Sequence, residues 1–593
     1  MTEFTTRPEI RGTFGVVTST HWIASAVGMS ILERGGNAFD AAVACGLTLQ
    51  VVEPHLNGPA GDMPAVFRSA KTGRSQVLCA QGVAPASATI EHYRAQGLTL
   101  IPGSGLLATV VPGAFDGWML MLRDHGTMDL EEVMQPAIDY ARDGHPLLPR
   151  VADTISGLAG FFETEWPTSA AVWTPGGVVP KPHALFKNPD LAATYARLAA
   201  SEGNSRDARI DEARRQWREG FVAEAIFEYL ADAHVMDVSD ARHSAVLAPA
   251  DMANWQASYE ETLSYDYHGW RVHKTQAWGQ GPVMLQTLAL LKGFDLGARD
   301  PNGSEFVHTV IEAMKLAYAD RETYYGDPAQ SDVPIDVLLS DDYNAARRSL
   351  IGSTASMEQR PGRVPGFEHL ADAYVTRSQR DFHVGNVAAQ EPTMSHLTEK
   401  RGDTVHLDII DRWGNMVAAT PSGGWLQSNP VIPGLGFPLN SRAQMFWLEE
   451  GLPTSLAPGR RPRTTLSPSL AEKEGARLVF GTPGGDQQDQ WQLIWFLRFV
   501  HFGLGLQEGM DAPLFHSMHF QASFFPRETR PGEMMIEPNV GADVIADLRA
   551  RGHKVTVADP WTVGRMTAAL REKDGTLRAA ATPRLMQAYA VGR

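Results

Sequence analysis

A threonine that directly precedes a predicted hairpin is the residue of this chain best placed for nucleophilic chemistry. Thr404 is followed by a run in which apolar and polar residues alternate, the pattern of a half-buried strand. Residues 412–415 are typical of a turn, and 416–420 of the returning strand. From about residue 360 to 403 the chain is polar and weakly patterned. One explanation for such a segment before a core hairpin is cleavage between Asp403 and Thr404.

A threonine hydroxyl is a weak nucleophile unless a base removes its proton, and a terminal threonine carries that base itself. An α-amino group titrates at about 7.7–8.0 in model peptides, so part of it is neutral near pH 7 and no catalytic histidine is required. The hydroxyl of Thr404 would attack an amide or a similar acyl compound, and water or an acceptor amine would release the acyl group. The same hydroxyl could first attack the carbonyl of Asp403 and cut the chain through an N→O acyl shift.

The stretch FGTPGGDQQDQWQLIWFL contains a candidate for the oxyanion hole that such chemistry requires. A strand that ends near Gly481 meets Gly484 and Gly485, and Asp486 can cap the helix that follows. Two adjacent glycines let the backbone approach a substrate, with amide groups near a helix N-terminus. Taken alone, the glycine pair is typical of a plain turn. We interpret the polar residues 486–490 as a solvated first helical turn.

Composition excludes several classes of protein. The 593 residues are 43% hydrophobic and 20% charged, which is typical of a globular protein with a large core. The net charge is −16, from 52 basic and 68 acidic residues, which argues against nucleic acid or an anionic membrane as the main partner. The N-terminal segment lacks the pattern of a signal peptide, and no apolar run is long enough to span a bilayer. Only Cys45 and Cys79 occur, so a cytoplasmic location is expected.

The predicted secondary structure that must position these residues changes at residue 404, from mostly helices to mostly strands. The first part is rich in predicted helices, such as the one from Ser304 through Tyr324. The part that follows is mostly strands, interrupted by an apolar helix from Trp491 to Phe502. We therefore expect a large, helix-rich subunit, 1–403, that ends in a flexible segment from about residue 360. A small subunit, 404–593, would carry the nucleophile.

Four groups of motifs occur in order along the chain: residues 35–44 with 52–55, residues 111–113 with 135–137, Thr404-x-His406 with Asp411, Gly414 and Asn415, and residues 461–468 with 483–485. Together they resemble the γ-glutamyltranspeptidase family of N-terminal-nucleophile hydrolases. The resemblance covers nearly the whole chain. It implies an α/β fold, a four-layer αββα sandwich, with self-cleavage before Thr404 and two subunits that stay together.

The resemblance also implies a nucleophile, a hydroxyl that hydrogen-bonds it, two oxyanion donors and two hydroxyls that face the substrate. In the same order these are Thr404, Ser422, Gly484, Gly485, Thr464 and Thr465. Ser422 stands where the family has a second threonine, so a hydroxyl is kept. The two substrate-facing threonines replace a pair of serines.

The departures from the family pattern lie where the family binds a glutamyl group. Gln81 replaces the arginine that clamps the α-carboxylate, and Gly424 replaces an asparagine. Arg442 and Met445 replace the glutamine and the aspartate that hold the α-ammonium. A pocket without these partners disfavours a glutamyl group. We predict an acyl group with a carboxylate but no α-ammonium, paired with Arg442. As alternatives, Arg442 is a solvated loop residue and Gln81 packs beneath the pocket.

Three functions remain open from the sequence. The first is a non-glutamyl amidohydrolase or acylase, the second a true γ-glutamyl hydrolase or transferase with an altered pocket, and the third a precursor that never matures and acts as a binding protein. The expected partners are a small-molecule amide and the chain's own two subunits, as one pair or as a dimer of pairs. We expect no cofactor and no metal, since His516-x-x-His519 is a histidine pair to which the sequence adds no third ligand.

Overall fold

Two antiparallel sheets of seven strands each lie face to face in the computed structural model, which describes residues 4–380 and 404–593. The described strands are β1 (Ile10–Gly12), β2 (Gly15–Ser19), β3 (Ala65–Arg68), β4 (Ser75–Cys79), β5 (His145–Pro146), β6 (Leu185–Phe186), β7 (Val235–Met236), β8 (Arg242–His243), β9 (Ser258–Glu260), β10 (Leu263–Tyr267), β11 (Trp270–Lys274), β12 (Leu407–Asp411), β13 (Met416–Ala419), β14 (Ser469–Lys473), β15 (Ala476–Gly481), β16 (Phe515–Ser517), β17 (Glu533–Ile536), β18 (Lys554–Val557), β19 (Thr567–Arg571), β20 (Leu577–Ala581) and β21 (Tyr589–Gly592). The order is β1-β20-β19-β15-β14-β11-β10 in the first sheet and β21-β2-β12-β13-β3-β4-β9 in the second.

Helices cover the outer faces of both sheets. Those described are α1 (Trp22–Glu33), α2 (Ala38–Val52), α3 (Ile90–Ala95), α4 (Ala114–His125), α5 (Leu130–Asp143), α6 (Pro149–Thr164), α7 (Pro167–Trp173), α8 (Pro189–Ala199), α9 (Arg206–Arg218), α10 (Phe221–Asp232), α11 (Pro249–Asn254), α12 (Pro282–Leu291), α13 (Ser304–Tyr324), α14 (Ile335–Leu338), α15 (Asp341–Arg348), α16 (Glu368–Ser378), α17 (Gln488–Phe502), α18 (Leu506–Asp511) and α19 (Ala542–Ala550). None of these helices is long and apolar enough to cross a membrane.

Three apolar clusters separate the layers and confirm the predicted αββα sandwich. One joins α1, α2, α4 and α5 to the outer face of the second sheet, through residues such as Leu407 and Ile409. Another lies between the two sheets and includes Ile410 and Val479. The third packs α12, α13 and α17 on the outer face of the first sheet, where Leu478 lies. Successive residues of a strand therefore face a helix layer and the opposite sheet in turn, as the period of two requires.

Strands from both sides of residue 403 combine within each sheet. β12 pairs with β2 on one side and with β13 on the other, and Ile409 lies opposite Val17. In the first sheet β14 pairs with β11, and in the second β21 pairs with β2. A cut between residues 403 and 404 would leave these ladders in place. The two pieces would stay joined by backbone hydrogen bonds and a shared core.

Some predicted boundaries match the structure and others differ. The predicted helix through Tyr324 is confirmed, but Ser304, which the sequence predicts as its N-cap, is its first helical residue, and Gly303 is the N-cap. The apolar helix predicted to begin at Trp491 begins at Gln488. Its polar first turn is buried like the apolar residues that follow. The flexible segment predicted from about residue 360 includes a helix, Glu368–Ser378, whose apolar side is buried. Residues 381–403, and Asp403 with them, lie outside the described part of the chain.

Candidate active site

Thr404 and Ser422 lie side by side at one end of the central hairpin of the second sheet. Thr404 stands before β12 and forms an isolated antiparallel bridge with Ser422. Their hydroxyl oxygens are 3.2 Å apart, and both side chains are buried. Ser422 also pairs with Asp62, since each backbone amide donates to the carbonyl of the other residue, at 2.9 and 2.8 Å. The structure thus brings together the two hydroxyls that the sequence analysis pairs.

The loop that contains Gly58 and Gly61 packs closely against this end of the hairpin because these positions carry no side chain. A Cβ on Gly61 would lie 2.0 Å from the carbonyl oxygen of Ser422, and a Cβ on Gly58 would lie 2.3 Å from that of Gly424. Gly423 and Gly424 have φ angles of 73° and 63°, in the region that favours glycine. The close contact between the two loops therefore depends on the absence of side chains at these positions.

Arg442 is buried beside the same end of the hairpin and is paired with a carboxylate. Its Nη2 donates to Asp62 Oδ1 at 2.9 Å, and its Nε lies 2.8 Å from Oδ2. The guanidinium carbon is 5.2 Å from the centre of the Trp425 ring, and Nη1 lies 3.8 Å from Met445 Sδ. The interpretation of Arg442 as a solvated loop residue is wrong, because its side chain is 1% exposed. Asp62 balances the charge of Arg442, and among the described residues the hydrogen-bond partner of Nη1 is the sulfur of Met445.

The remaining predicted substrate residues, Gln81, Thr464 and Thr465, lie on two adjoining segments. The segments meet where the amide of Ala84 donates to the carbonyl of Arg460 at 2.8 Å. Gln81 Oε1 and Thr465 Oγ1 are buried and have no hydrogen-bond partner in the part of the chain that the structure describes. Thr464 Oγ1, by contrast, accepts a backbone amide at 3.4 Å. Buried polar atoms without a protein partner are unusual and are suited to a ligand.

The predicted oxyanion loop follows β15 and has a backbone that requires glycine. Gly484 and Gly485 have φ angles of 128° and 56°. A Cβ on Gly484 would lie 2.2 Å from the ring of Trp491. The loop is held from outside, since Gln280 Nε2 donates to the carbonyl of Gly485 at 3.0 Å and Tyr318 OH donates to that of the next residue at 2.8 Å. These contacts make the loop a preorganised one.

The polar run 486–490 is buried, so its interpretation as a solvated turn is wrong. Asp486 accepts from Arg321 Nη1 at 2.7 Å and from the amide of Ser523 at 2.8 Å. Burial opposes ionisation of Asp486, but Arg321 and Arg463 outweigh it and hold the pKa of Asp486 below its ordinary value. The run is polar because it forms an internal network behind the oxyanion loop.

A buried polar network joins the segment that follows Thr404 to the space between the sheets. His406 lies 2.8 Å from Thr420 Oγ1 through Nδ1 and 2.9 Å from Asp408 Oδ1 through Nε2. The other oxygen of Asp408 accepts from Thr567 at 2.7 Å and from Thr18 at 3.1 Å. Both histidine nitrogens have partners, so this residue fixes the strand that starts beside Thr404.

Potential metal ligands are occupied by other contacts. His308, Glu312 and His553 bring one ligand atom each within 4.8 Å of the others. However, Glu312 is paired with Lys315 at 2.6 Å and with Arg360 at 2.9 Å, and the two histidines lie 2.8 Å apart. Two cations beside the carboxylate disfavour a metal ion.

The histidine pair of the sequence analysis is also engaged. His519 uses both ring nitrogens, at 2.9 Å from the amide of Gly532 and 3.1 Å from the carbonyl of Glu358. His516 Nδ1 lies 3.3 Å from Trp491 Nε1, and burial lowers the pKa of His516 to about 3. These contacts position the loops around His516 and His519. The two rings therefore do not form a pair of ligands for one metal ion.

The fold and the site together define a class of protein. A four-layer αββα sandwich of this kind, shared with solved structures of the class, is that of an N-terminal-nucleophile hydrolase. Within that class, the family model described as gamma-glutamyltranspeptidase matches residues 24–592, and the chain belongs to this family. The resemblance found in the sequence is thereby confirmed.

Individual relatives match over nearly their full length. The structure of LmbA2991HD is 52% identical, with a TM-score of 0.91 and 100% coverage of both chains. The crystal structure of cephalosporin acylase from Bacillus halodurans is 27% identical, with a TM-score of 0.83, and the match covers 99% of this chain and 97% of that one. The acylase ACY 1 proenzyme of Pseudomonas sp. (strain SE83) is 31% identical over 583 residues, 96% of this chain and 92% of that protein.

Sequence reasoning missed several residues that hold the site. Asp62, Gln280 and Arg321 contact Arg442, the oxyanion loop and Asp486, from segments far away in the chain. None of the three belongs to a local pattern that marks it. Asp62 could have been suspected, because it closes the glycine-containing stretch that follows residues 52–55 of the first motif group.

Proposed function

We propose that this chain is an amidohydrolase or acylase that cleaves itself between Asp403 and Thr404 and then uses Thr404 as its nucleophile. The observation that carries the proposal is the pair of buried hydroxyls of Thr404 and Ser422, 3.2 Å apart. The proenzyme name of ACY 1 and the acylase names of two relatives support both parts. On this proposal 1–403 and 404–593 are the large and small subunits.

In the proposed mechanism the chain is first cut by its own hydroxyl. Thr404 Oγ attacks the Asp403 carbonyl, the peptide bond becomes an ester, and water hydrolyses that ester. The freed α-amine of Thr404 then accepts the hydroxyl proton as the oxygen attacks the substrate amide. The amides of Gly484 and Gly485 stabilise the oxyanion, and Ser422 orients the nucleophile. The protonated α-amine returns the proton to the amide nitrogen, the C–N bond breaks and the amine leaves. Water then hydrolyses the acyl-enzyme to a carboxylic acid and regenerates the hydroxyl.

The proposed acyl group carries a carboxylate and no α-ammonium. Arg442 is the ligand proposed for this carboxylate, and Nη1 is the nitrogen that Asp62 leaves for the contact. Gln81 Oε1 and Thr465 Oγ1 are proposed to bind the rest of the substrate through hydrogen bonds. The cytoplasmic location stays a prediction, supported by two cysteines that are free and buried.

Intact mass of the purified wild type beside Thr404→Ala and Thr404→Ser tests the proposal. We expect two fragments that meet at 403/404 in the wild type, one uncut chain in Thr404→Ala, and slower cleavage in Thr404→Ser. The mature protein is then given 4-nitroanilides of glutaric acid, succinic acid and γ-glutamate. Preference for the first two supports the non-glutamyl acylase, and preference for the third favours a γ-glutamyl hydrolase. An uncut wild type would overturn the proposal and favour a binding protein.

A further inference from the structure

Four buried arginines lie behind the oxyanion loop, and we refer to them as the arginine cluster. They are Arg321, Arg377, Arg463 and Arg527, with side chains or residues at most 2% exposed. The carboxylates that contact them in the described part of the chain are those of Glu322 and Asp486. Two carboxylates thus face four buried guanidinium groups.

The carboxylates are concentrated on one side of the arginine cluster. Arg321 contacts both of them, at 2.7 Å from Asp486 and 2.7 Å from Glu322. Arg463 shares Glu322, at 2.8 Å. Arg321 therefore has two carboxylate partners, whereas Arg463 shares one carboxylate with Arg321.

The other two members contact no carboxylate among the described residues. Arg377 donates to the backbone carbonyl of Glu322 at 3.3 Å, and Arg527 donates to that of Gln444 at 2.7 Å. Their guanidinium carbons lie 4.7 and 4.4 Å from the centre of the same ring, Trp447. Two cations that share one aromatic ring repel each other, so the ring alone does not compensate them.

Several nitrogens of the arginine cluster have no acceptor among the described residues. These are Nε of Arg321, Nε and Nη1 of Arg463, Nε and Nη1 of Arg377, and Nη1 of Arg527. Burial lowers the pKa of Arg527 to about 9, opposed by Glu322 and reinforced by the neighbouring Arg463 and Arg377. A buried cation without a partner is costly, and a bound anion removes that cost.

The arginine cluster adjoins the proposed catalytic machinery. Arg463 directly precedes Thr464 and Thr465, and its Nη2 donates to Ser523 Oγ at 2.9 Å. Ser523 in turn bonds to Asp486, the residue after Gly485. An anion held by Arg463 would therefore lie close to two proposed substrate residues and to the loop that contains Gly485.

We infer that the arginine cluster binds a second carboxylate of the substrate, with Arg463 as its principal ligand, so that the substrate is an amide with two carboxylates. The inference rests on the proposed function and adds to it, because Arg442 is separately paired with Asp62. The unpartnered nitrogens of Arg463 offer the parallel donors that a carboxylate accepts. The second carboxylate can belong to the acyl part or to the amine part of the substrate.

A substrate panel separates these cases. Glutaryl-4-nitroanilide has one carboxylate, glutaryl-4-aminobenzoate has a second on the amine part, and a monoanilide of tricarballylic acid has a second on the acyl part. We expect Arg463→Gln to lower kcat/KM about 10- to 100-fold for a substrate with two carboxylates and to leave the first substrate nearly unchanged. Arg463→Lys should fall between the two. Arg271→Gln, at an exposed arginine, is the matched control.

A binding measurement separates this inference from the proposed function. Citrate and succinate should raise the melting temperature of the mature wild type and of the Arg271→Gln variant by more than that of Arg463→Gln or Arg527→Gln, in which only Arg442 remains to bind them. If nothing is hydrolysed but these shifts appear, the arginine cluster binds carboxylates and the proposed function fails. Equal loss on all substrates in Arg463→Gln, or equal shifts by the anions in all variants, would overturn the inference.

Discussion

The imidazole ring of His406 fills the space that a side chain at Gly481 would occupy. A Cβ on Gly481 would lie 2.2 Å from His406 Cε1. His406 follows Thr404 closely, and Gly481 ends the strand that leads to the Gly484-Gly485 loop. The contact therefore sets how far the proposed nucleophile lies from the proposed oxyanion donors, although the two belong to different sheets.

Replacing this glycine should disturb both reactions proposed for the site. Gly481→Ala forces the ring of His406 to move, and we expect self-cleavage and turnover each to slow at least about tenfold. Overpacking of this kind should also reduce the free energy of unfolding by about 1–3 kcal/mol. Gly160→Ala is the control, since no atom lies within 4 Å of a Cβ there. Unchanged cleavage in Gly481→Ala, measured by intact mass over time, would argue against the coupling.

We predict that self-cleavage and turnover require a hydroxyl at position 422 but tolerate the extra methyl group of a threonine there. Ser422→Ala removes the oxygen 3.2 Å from Thr404 Oγ and should lower the cleavage rate and kcat about tenfold. Ser422→Thr keeps the hydroxyl and should retain most of the activity. Equal activity of the alanine and threonine variants in the anilide assay would show that the hydroxyl has no role in orienting the nucleophile.

The pair of Arg442 and Asp62 should show strong energetic coupling. Both are buried, so Asp62→Asn leaves an uncompensated cation and should cost about 3–5 kcal/mol of unfolding free energy. Adding Arg442→Met to Asp62→Asn should recover part of that loss. Urea unfolding of the Thr404→Ala precursor and its variants gives the double-mutant cycle, and additive effects would mean that the two side chains do not stabilise each other.

Stability should depend on pH through Glu53. This carboxyl is buried, accepts from Thr20 Oγ1 and from Gln587 Nε2, and burial raises its pKa to about 7 from an ordinary 4.5. The unfolded chain ionises first, so the stabilising effect is complete below pH 4.5 and is lost as pH rises to about 7. The loss should reach roughly 3 kcal/mol at about 1.4 kcal/mol per pKa unit.

Glu53→Gln provides the comparison for this titration. The amide does not ionise, so the difference in unfolding free energy between the wild type and Glu53→Gln should change across this pH range and be flat above it. A constant difference from pH 4.5 to 7 would mean that Glu53 keeps an ordinary pKa in the folded protein.

The sequence by itself predicted several of the elements and pointed to Thr404 as the proposed nucleophile. Alternation before and after the turn at 412–415 predicts β12 and β13, and helical spacing predicts Ser304–Tyr324, because both patterns report which side of a local element is buried. The ordered motifs predicted the αββα sandwich and the family. Each of these signals lies within a short stretch of chain.

Only the tertiary structure decided what surrounds the site. Arg442 forms a hydrogen bond with Asp62, which is 380 residues away in the chain, and Arg321 forms one with Asp486, which is 165 residues away. The run 486–490 has the composition of an exposed turn and is buried all the same, because partners from α13 and from the loop at Ser523 satisfy it. A polar residue carries no local sign of a distant partner, so burial, charge pairing and the unpartnered nitrogens of Arg463 appear only when the layers are assembled.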